Sequence, residues 1–96
     1  MKKQALIIFD HYGYENQLKK LHEEVYELIE SVIKYENGKD SIEHVTGELG
    51  DVEFLLYQFR SHYKIKPRKI MNIRRFKARR QLGRIANENS RVMEIQ

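Results

Sequence analysis

The stretch QLKKLHEEVYELIESV, residues 17–32, places Leu18, Leu21, Val25, Leu28 and Val32 at successive spacings of 3, 4, 3 and 4. That period draws one apolar stripe along an α-helix. The stretch IEHVTGELGDVEFLLYQFRSHY, residues 42–63, repeats the device with Val45, Leu49, Val52, Leu56, Phe59 and Tyr63. Between them stands Asn37-Gly38-Lys39-Asp40, a helix stop, followed by Ser41, a good N-cap. The spacing therefore predicts two long helices, over 15–36 and 42–63, folded back on each other as an antiparallel hairpin.

Outward from the hairpin the pattern stays helical. Residues 3–12 read as a short helix ended by Gly13, where a left-handed C′ residue is common. Pro67 suits the first turn of a last helix, expected to run to about Asn87. No segment shows the alternation of a strand. The expected fold is all-α: an antiparallel helical hairpin plus flanking helices. Residues 1–87 are expected to form one domain, and residues 88–96 a frayed or partner-dependent tail. Two stripes on one hairpin give more apolar seam than 96 residues can cover. A homodimer or homotetramer is therefore expected to complete a four-helix-type bundle.

Composition narrows the function. The chain has no cysteine, which excludes disulfides, thiolate metal sites and a cysteine nucleophile. Its longest early apolar run, Ala5 to Phe9, is too short for a signal peptide or a membrane span. The expectation is a cytoplasmic protein with no membrane partner. Residues 1–63 hold seven Lys/Arg against twelve Asp/Glu, whereas residues 64–96 hold eleven against two. The acidic part is suited to cations and the basic part to anions.

Beside each apolar stripe runs a polar line. Gln17, Lys20, Glu24, Glu27 and Ser31 follow it on the first long helix; His44, Glu48, Asp51, Leu55, Gln58 and His62 follow it on the second. In an antiparallel hairpin turning near residue 38, Glu24 and Glu27 reach about the height of Glu48 and Asp51. Four carboxylates at one height must share protons or hold a cation, because two charges 4 Å apart repel by about 4 kcal/mol at an effective dielectric of 20. An oxygen-only donor set favours hard ions, Mg²⁺ or Mn²⁺. A solvated acidic face is the simpler alternative. His44 and His62 read as rim residues, and the tyrosines as packing or subunit-contact residues.

The run His22-Glu23-Glu24-Val25-Tyr26-Glu27, followed by Gly47-Glu48-Leu49-Gly50-Asp51-Val52, resembles the paired motif of the MazG-like, all-α nucleoside triphosphate pyrophosphohydrolases. Residues 13–21 and 76–85 resemble, more weakly, the segments that flank that motif. The resemblance implies Mg²⁺-dependent hydrolysis of a nucleoside triphosphate to the monophosphate and pyrophosphate. By motif position it makes Glu24, Glu27, Glu48 and Asp51 the metal ligands, with Glu23 acting from behind them. It also turns the line Ile70, Ile73, Lys77, Arg80, Arg84 into a helix expected to dock on the bundle, with Lys77 and Arg80, then Arg84, on the triphosphate. Gln17 and Lys20 are expected to reach the nucleotide base and phosphates, or to remain a polar flank. The competing reading is a basic helical module that binds nucleic acid through its tail, without enzymatic activity.

Overall fold

The computed structural model describes residues 1–95, and side chains through residue 91. Four helices follow in order: α1 (Lys2–Tyr12), α2 (Tyr14–Glu36), α3 (Ile42–His62) and α4 (Pro67–Ile95). Among the described residues there is no strand. The all-α expectation holds, and no helix is long and apolar enough to cross a membrane.

Local chemistry explains each boundary. Gly13 sits between α1 and α2 with φ 87° and ψ 157°, a region open essentially to glycine alone, so it breaks one helix and starts the next. Its N–H still donates to Phe9 O at 2.9 Å and its C=O accepts from Gln17 N at 3.0 Å. At the end of α2, Gly38 has φ 72°, its N–H donates to Tyr35 O at 3.0 Å, and Lys39 N–H donates to Lys34 O at 2.8 Å. These two bonds are the Schellman pair that satisfies the orphan carbonyls of a helix end. Ser41 caps α3 as its sequence position suggests, its Oγ accepting from His44 N at 3.1 Å. Lys64 closes α3 at φ 58°, a left-handed conformation uncommon for a residue with a Cβ.

The chain folds as two compact units, Met1–Lys64 and the segment from Ile65 onward. On α4, residues 68–91 carry nine Lys/Arg, and Ile73, Phe76, Leu82 and Ile85 are exposed. The helix does not stop near Asn87. It continues to Ile95, through most of the expected tail; Gln96 lies outside the described residues.

In the first unit, α1 packs mainly on α3. Ala5 and Phe9 of α1 and Val52 and Leu55 of α3 are its buried hydrophobic side chains. Phe9 meets the Phe59 ring edge-on at 5.1 Å and stacks on His62 at 4.5 Å. His62 is exposed, as a rim residue would be, and also stacks on α1.

The α2–α3 contact departs from the expected seam. The buried residues of α2 are Gln17, Glu24 and Ser31, the polar line. Leu18, Val25 and Val32 of the apolar stripe remain exposed. α2 is thus rotated so that its polar line faces α3, with Leu21 and Leu28 of the stripe half-buried beside it. Gln17 Nε2 donates to Gln58 Oε1 at 2.7 Å inside this contact, which lets two buried amides satisfy each other.

Candidate metal centre

Burial of the polar line brings three carboxylates together. Glu24 and Glu27 lie three residues apart on α2 and so point the same way. Glu48 of α3 comes to the same height. One carboxylate oxygen from each lies within 4.8 Å of the others. Glu24 is 6% exposed, Glu48 half-buried and Glu27 exposed, so the cluster opens from the helix contact toward the surface.

Two nitrogen-bearing side chains touch the cluster from its ends. Lys20 Nζ stands 3.1 Å from Glu24 Oε1, and His44 Nε2 stands 3.2 Å from Glu48 Oε1. Each partners one carboxylate oxygen. The second oxygens, Glu24 Oε2 and Glu48 Oε2, are buried and accept no hydrogen bond. A buried carboxylate oxygen without a partner is costly unless a proton or a cation supplies one. The cluster registers the strain at Glu27, whose carboxyl is pushed above the ordinary Glu range, first by the Glu24 charge, then by desolvation and by Glu48. Lys20 is held above the usual lysine range, chiefly by its hydrogen bond to Glu24.

Asp51 does not join these three. It is exposed one turn further along α3 and lines a cleft of about 570 Å³ together with Glu24. The same cleft takes Ile8 and Tyr12 from α1, Asn16, Gln17 and Lys20 from α2, and Phe54, Leu55 and Gln58 from α3. One end is thus acidic with a lysine, and the other is aromatic and amide-bearing. Glu23 is exposed on α2 and lies outside the cluster. Gln17 faces the cleft, but its Nε2 is committed to Gln58. Lys77, Arg80 and Arg84 lie exposed on α4, in the second unit, where the Arg80 guanidinium sits 5.8 Å from the Phe76 ring.

A second network escaped the sequence reading. His44 Nδ1 is 2.6 Å from Asp40 Oδ2 while its Nε2 faces Glu48, so the imidazole bridges the α3 N-terminus to the cluster. Buried Ser31 donates to the same Asp40 oxygen at 3.4 Å. Asp40 raises the His44 pKa above the ordinary histidine value, mainly through their hydrogen bond, and is itself held below the usual carboxylate range by it. The signal was present as Asp40, His44 and Glu48, an i, i+4, i+8 ladder across a helix start. Its meaning depended on Glu48 belonging to the cluster.

The donor set fits a hard divalent cation: all oxygen, three carboxylates, and two buried oxygens lacking partners. No family model, curated protein or solved structure matches this chain.

Proposed function

We propose that this protein is a Mg²⁺-dependent nucleoside triphosphate pyrophosphohydrolase, with Mn²⁺ as a substitute ion. The observation that carries the reading is the convergence of Glu24, Glu27 and Glu48 around two partnerless carboxylate oxygens, with Glu24 also lining a cleft of about 570 Å³ and Glu27 and Glu48 a second cavity of about 230 Å³. The motif resemblance of residues 22–27 and 47–52 supplies the reaction class. In this reading the three glutamates hold the ion, and Asp51 supports the same pole of the cleft. A bound divalent ion supplies charge neutralisation on phosphate oxygens and a more acidic water.

The residues of the chain have their own tasks. Tyr12 and Phe54 offer aromatic walls against which a base can lie, and the amides nearby offer hydrogen bonds to its edge. Lys20 stands between the amide end and the acids, placed to follow a phosphate when its bond to Glu24 is exchanged. His44, tied to Asp40, restrains the Glu48 carboxylate. Water adds to the α-phosphorus, the bond to the bridging oxygen breaks, pyrophosphate departs, and a proton is released. No protein nucleophile is called for. Lys77, Arg80 and Arg84 enter as phosphate contacts on the strength of the resemblance alone.

The test is direct. Incubation with a panel of ribo- and deoxyribonucleoside triphosphates and Mg²⁺ is expected to yield monophosphate and pyrophosphate, and Glu24→Gln and Glu48→Gln are expected to abolish the reaction with helical content retained. Orthophosphate as the primary product, or full activity in both variants, refutes the reading. The second reading, nucleic-acid binding by α4, draws on its nine exposed Lys/Arg over residues 68–91. It predicts retention on DNA or RNA that weakens steeply with salt and ignores both glutamate variants.

A further inference from the structure

Two side-chain amides meet inside the cleft and are almost withdrawn from solvent. Gln17 of α2 is 6% exposed and Gln58 of α3 2%, yet both line the cleft that Lys20 and Glu24 also line. Gln17 Nε2 donates to Gln58 Oε1 at 2.7 Å. An amide carries two N–H donors and an oxygen with two lone pairs, so this bond uses only part of what the pair offers. Among the described residues, the buried side-chain atoms without a hydrogen-bond partner belong to Glu24 and Glu48 alone. The spare oxygen of Gln17 and the spare NH₂ of Gln58 are therefore not sealed in; they open on the cleft. Asn16, the third amide there, is fixed by contrast, because its Nδ2 donates to Tyr12 O at 2.8 Å.

We infer that Gln17 and Gln58 together form a reversible reader of the nucleotide base, which admits amino bases and keto bases alike. The inference rests on the nucleotide reading of the cleft and adds to it how a base is accepted. In the bonded arrangement Gln17 presents an acceptor to the cleft and Gln58 a donor. Turning both terminal amides over keeps the bond, now from Gln58 Nε2 to Gln17 Oε1, and presents a donor from Gln17 and an acceptor from Gln58. Oxygen and NH₂ are close in size, so the exchange needs no new space inside a buried contact. Each state holds one bond between two neutral groups, so the pair itself favours neither. The hydrogen-bonding edges of the bases come in the same two polarities. Adenine and cytosine set an amino donor beside a ring-nitrogen acceptor. Guanine, uracil and thymine set a carbonyl acceptor beside a ring N–H donor. Each class matches one state of the pair. An amide fixed by the backbone, as Asn16 is, makes no such change; two amides that bond each other turn together without losing a bond.

Equilibrium binding to the full chain with Mg²⁺ tests it, using α,β-methylene nucleoside triphosphates, whose α–β bridge resists hydrolysis. The wild type is expected to bind the adenine, cytosine, guanine and uracil compounds with Kd values within about tenfold of one another. N3-methyluracil lacks the ring N–H and N6,N6-dimethyladenine lacks the amino donor, so each leaves an amide of the pair unpaired and is expected to bind about tenfold more weakly than its parent. In Gln17→Leu with Gln58→Leu, blocked and natural bases are expected to bind alike, with far-UV circular dichroism as the check on folding. A wild-type preference of about a hundredfold or more for one class shows a locked pair and overturns the proposal. Equal binding of natural and blocked bases to the wild type overturns it as well, as does a penalty that persists in the double variant, or no nucleotide binding at all. The same bases as ordinary triphosphates, assayed for pyrophosphate, separate the two readings. Edge-dependent binding without product overturns the hydrolase and leaves the reader standing; turnover without edge dependence overturns the reader and leaves the hydrolase.

Discussion

Replacing Glu24 by glutamine should stabilise the ion-free protein and abolish its response to Mg²⁺. Glu24 is the most buried member of the cluster, its Oε2 has no partner, and a carboxylate oxygen of Glu48 lies within 4.8 Å. At an effective dielectric of 20, two unit charges at that distance repel by about 3.5 kcal/mol. Against this relief stands the salt bridge that Lys20 loses, which is weak because the lysine side chain is 54% exposed. Glutamine keeps the shape and removes the charge. The net gain expected is about 1–2 kcal/mol, which raises the melting temperature by roughly 4–16 °C for a unit of this size. In the wild type, Mg²⁺ at a hundred times its Kd should add about 2.7 kcal/mol. In Glu24→Gln that increment should vanish. Thermal melts by circular dichroism, in EDTA and in millimolar MgCl₂, read both effects. A Glu24→Gln protein that is less stable in EDTA and still gains stability from Mg²⁺ would refute the reasoning, since Glu24 would then be neither strained nor a ligand.

Three further outcomes follow from the same geometry. Because the folded-state pKa of Glu27 is raised by Glu24, desolvation and Glu48, the folded protein binds that proton more tightly than the unfolded chain; ion-free stability should fall as pH rises from the ordinary Glu range through the raised value, and Glu27→Gln should flatten that slope in pH-resolved urea denaturation. Gln17→Leu alone should cost about 1–3 kcal/mol by orphaning the buried Gln58 amide, whereas Gln17→Leu with Gln58→Leu should be near neutral; equal losses in the single and double variants, by chemical denaturation, would contradict the pairing. Lys64→Gly should stabilise by ~0.5–1 kcal/mol, because a left-handed φ of 58° carries a Cβ penalty that glycine avoids; a loss of stability would show that the turn after α3 is not strained.

Much of the fold was legible because its signals are local. The Asn37-Gly38 stop, the Ser41 cap and the Gly13 break act through bonds to residues within five positions, so they read the same in the unfolded chain and the folded one. The 3–4 spacings of Leu18 to Val32 and Val45 to Tyr63 determined two long helices and their hairpin. The height match of Glu24 and Glu27 with Glu48 also followed, from a rise per residue and the place of the turn.

Rotation about each helix axis was not legible, because it is decided by packing. A stripe says which residues avoid water, not which neighbour covers them. In the hairpin, the Gln17–Gln58 bond and the Ser31–Asp40–His44 network turn the polar line of α2 inward, and the aliphatic stripe stays open. Asp51 is exposed on the cleft wall, apart from the three converging glutamates, and His62 stacks on Phe9. The sequence by itself determined the helices, the ends of the first three and the height at which the acids meet. Only the tertiary structure decided which side of the hairpin holds charge and which is left apolar, because that choice depends on side-chain bonds between residues far apart in the chain.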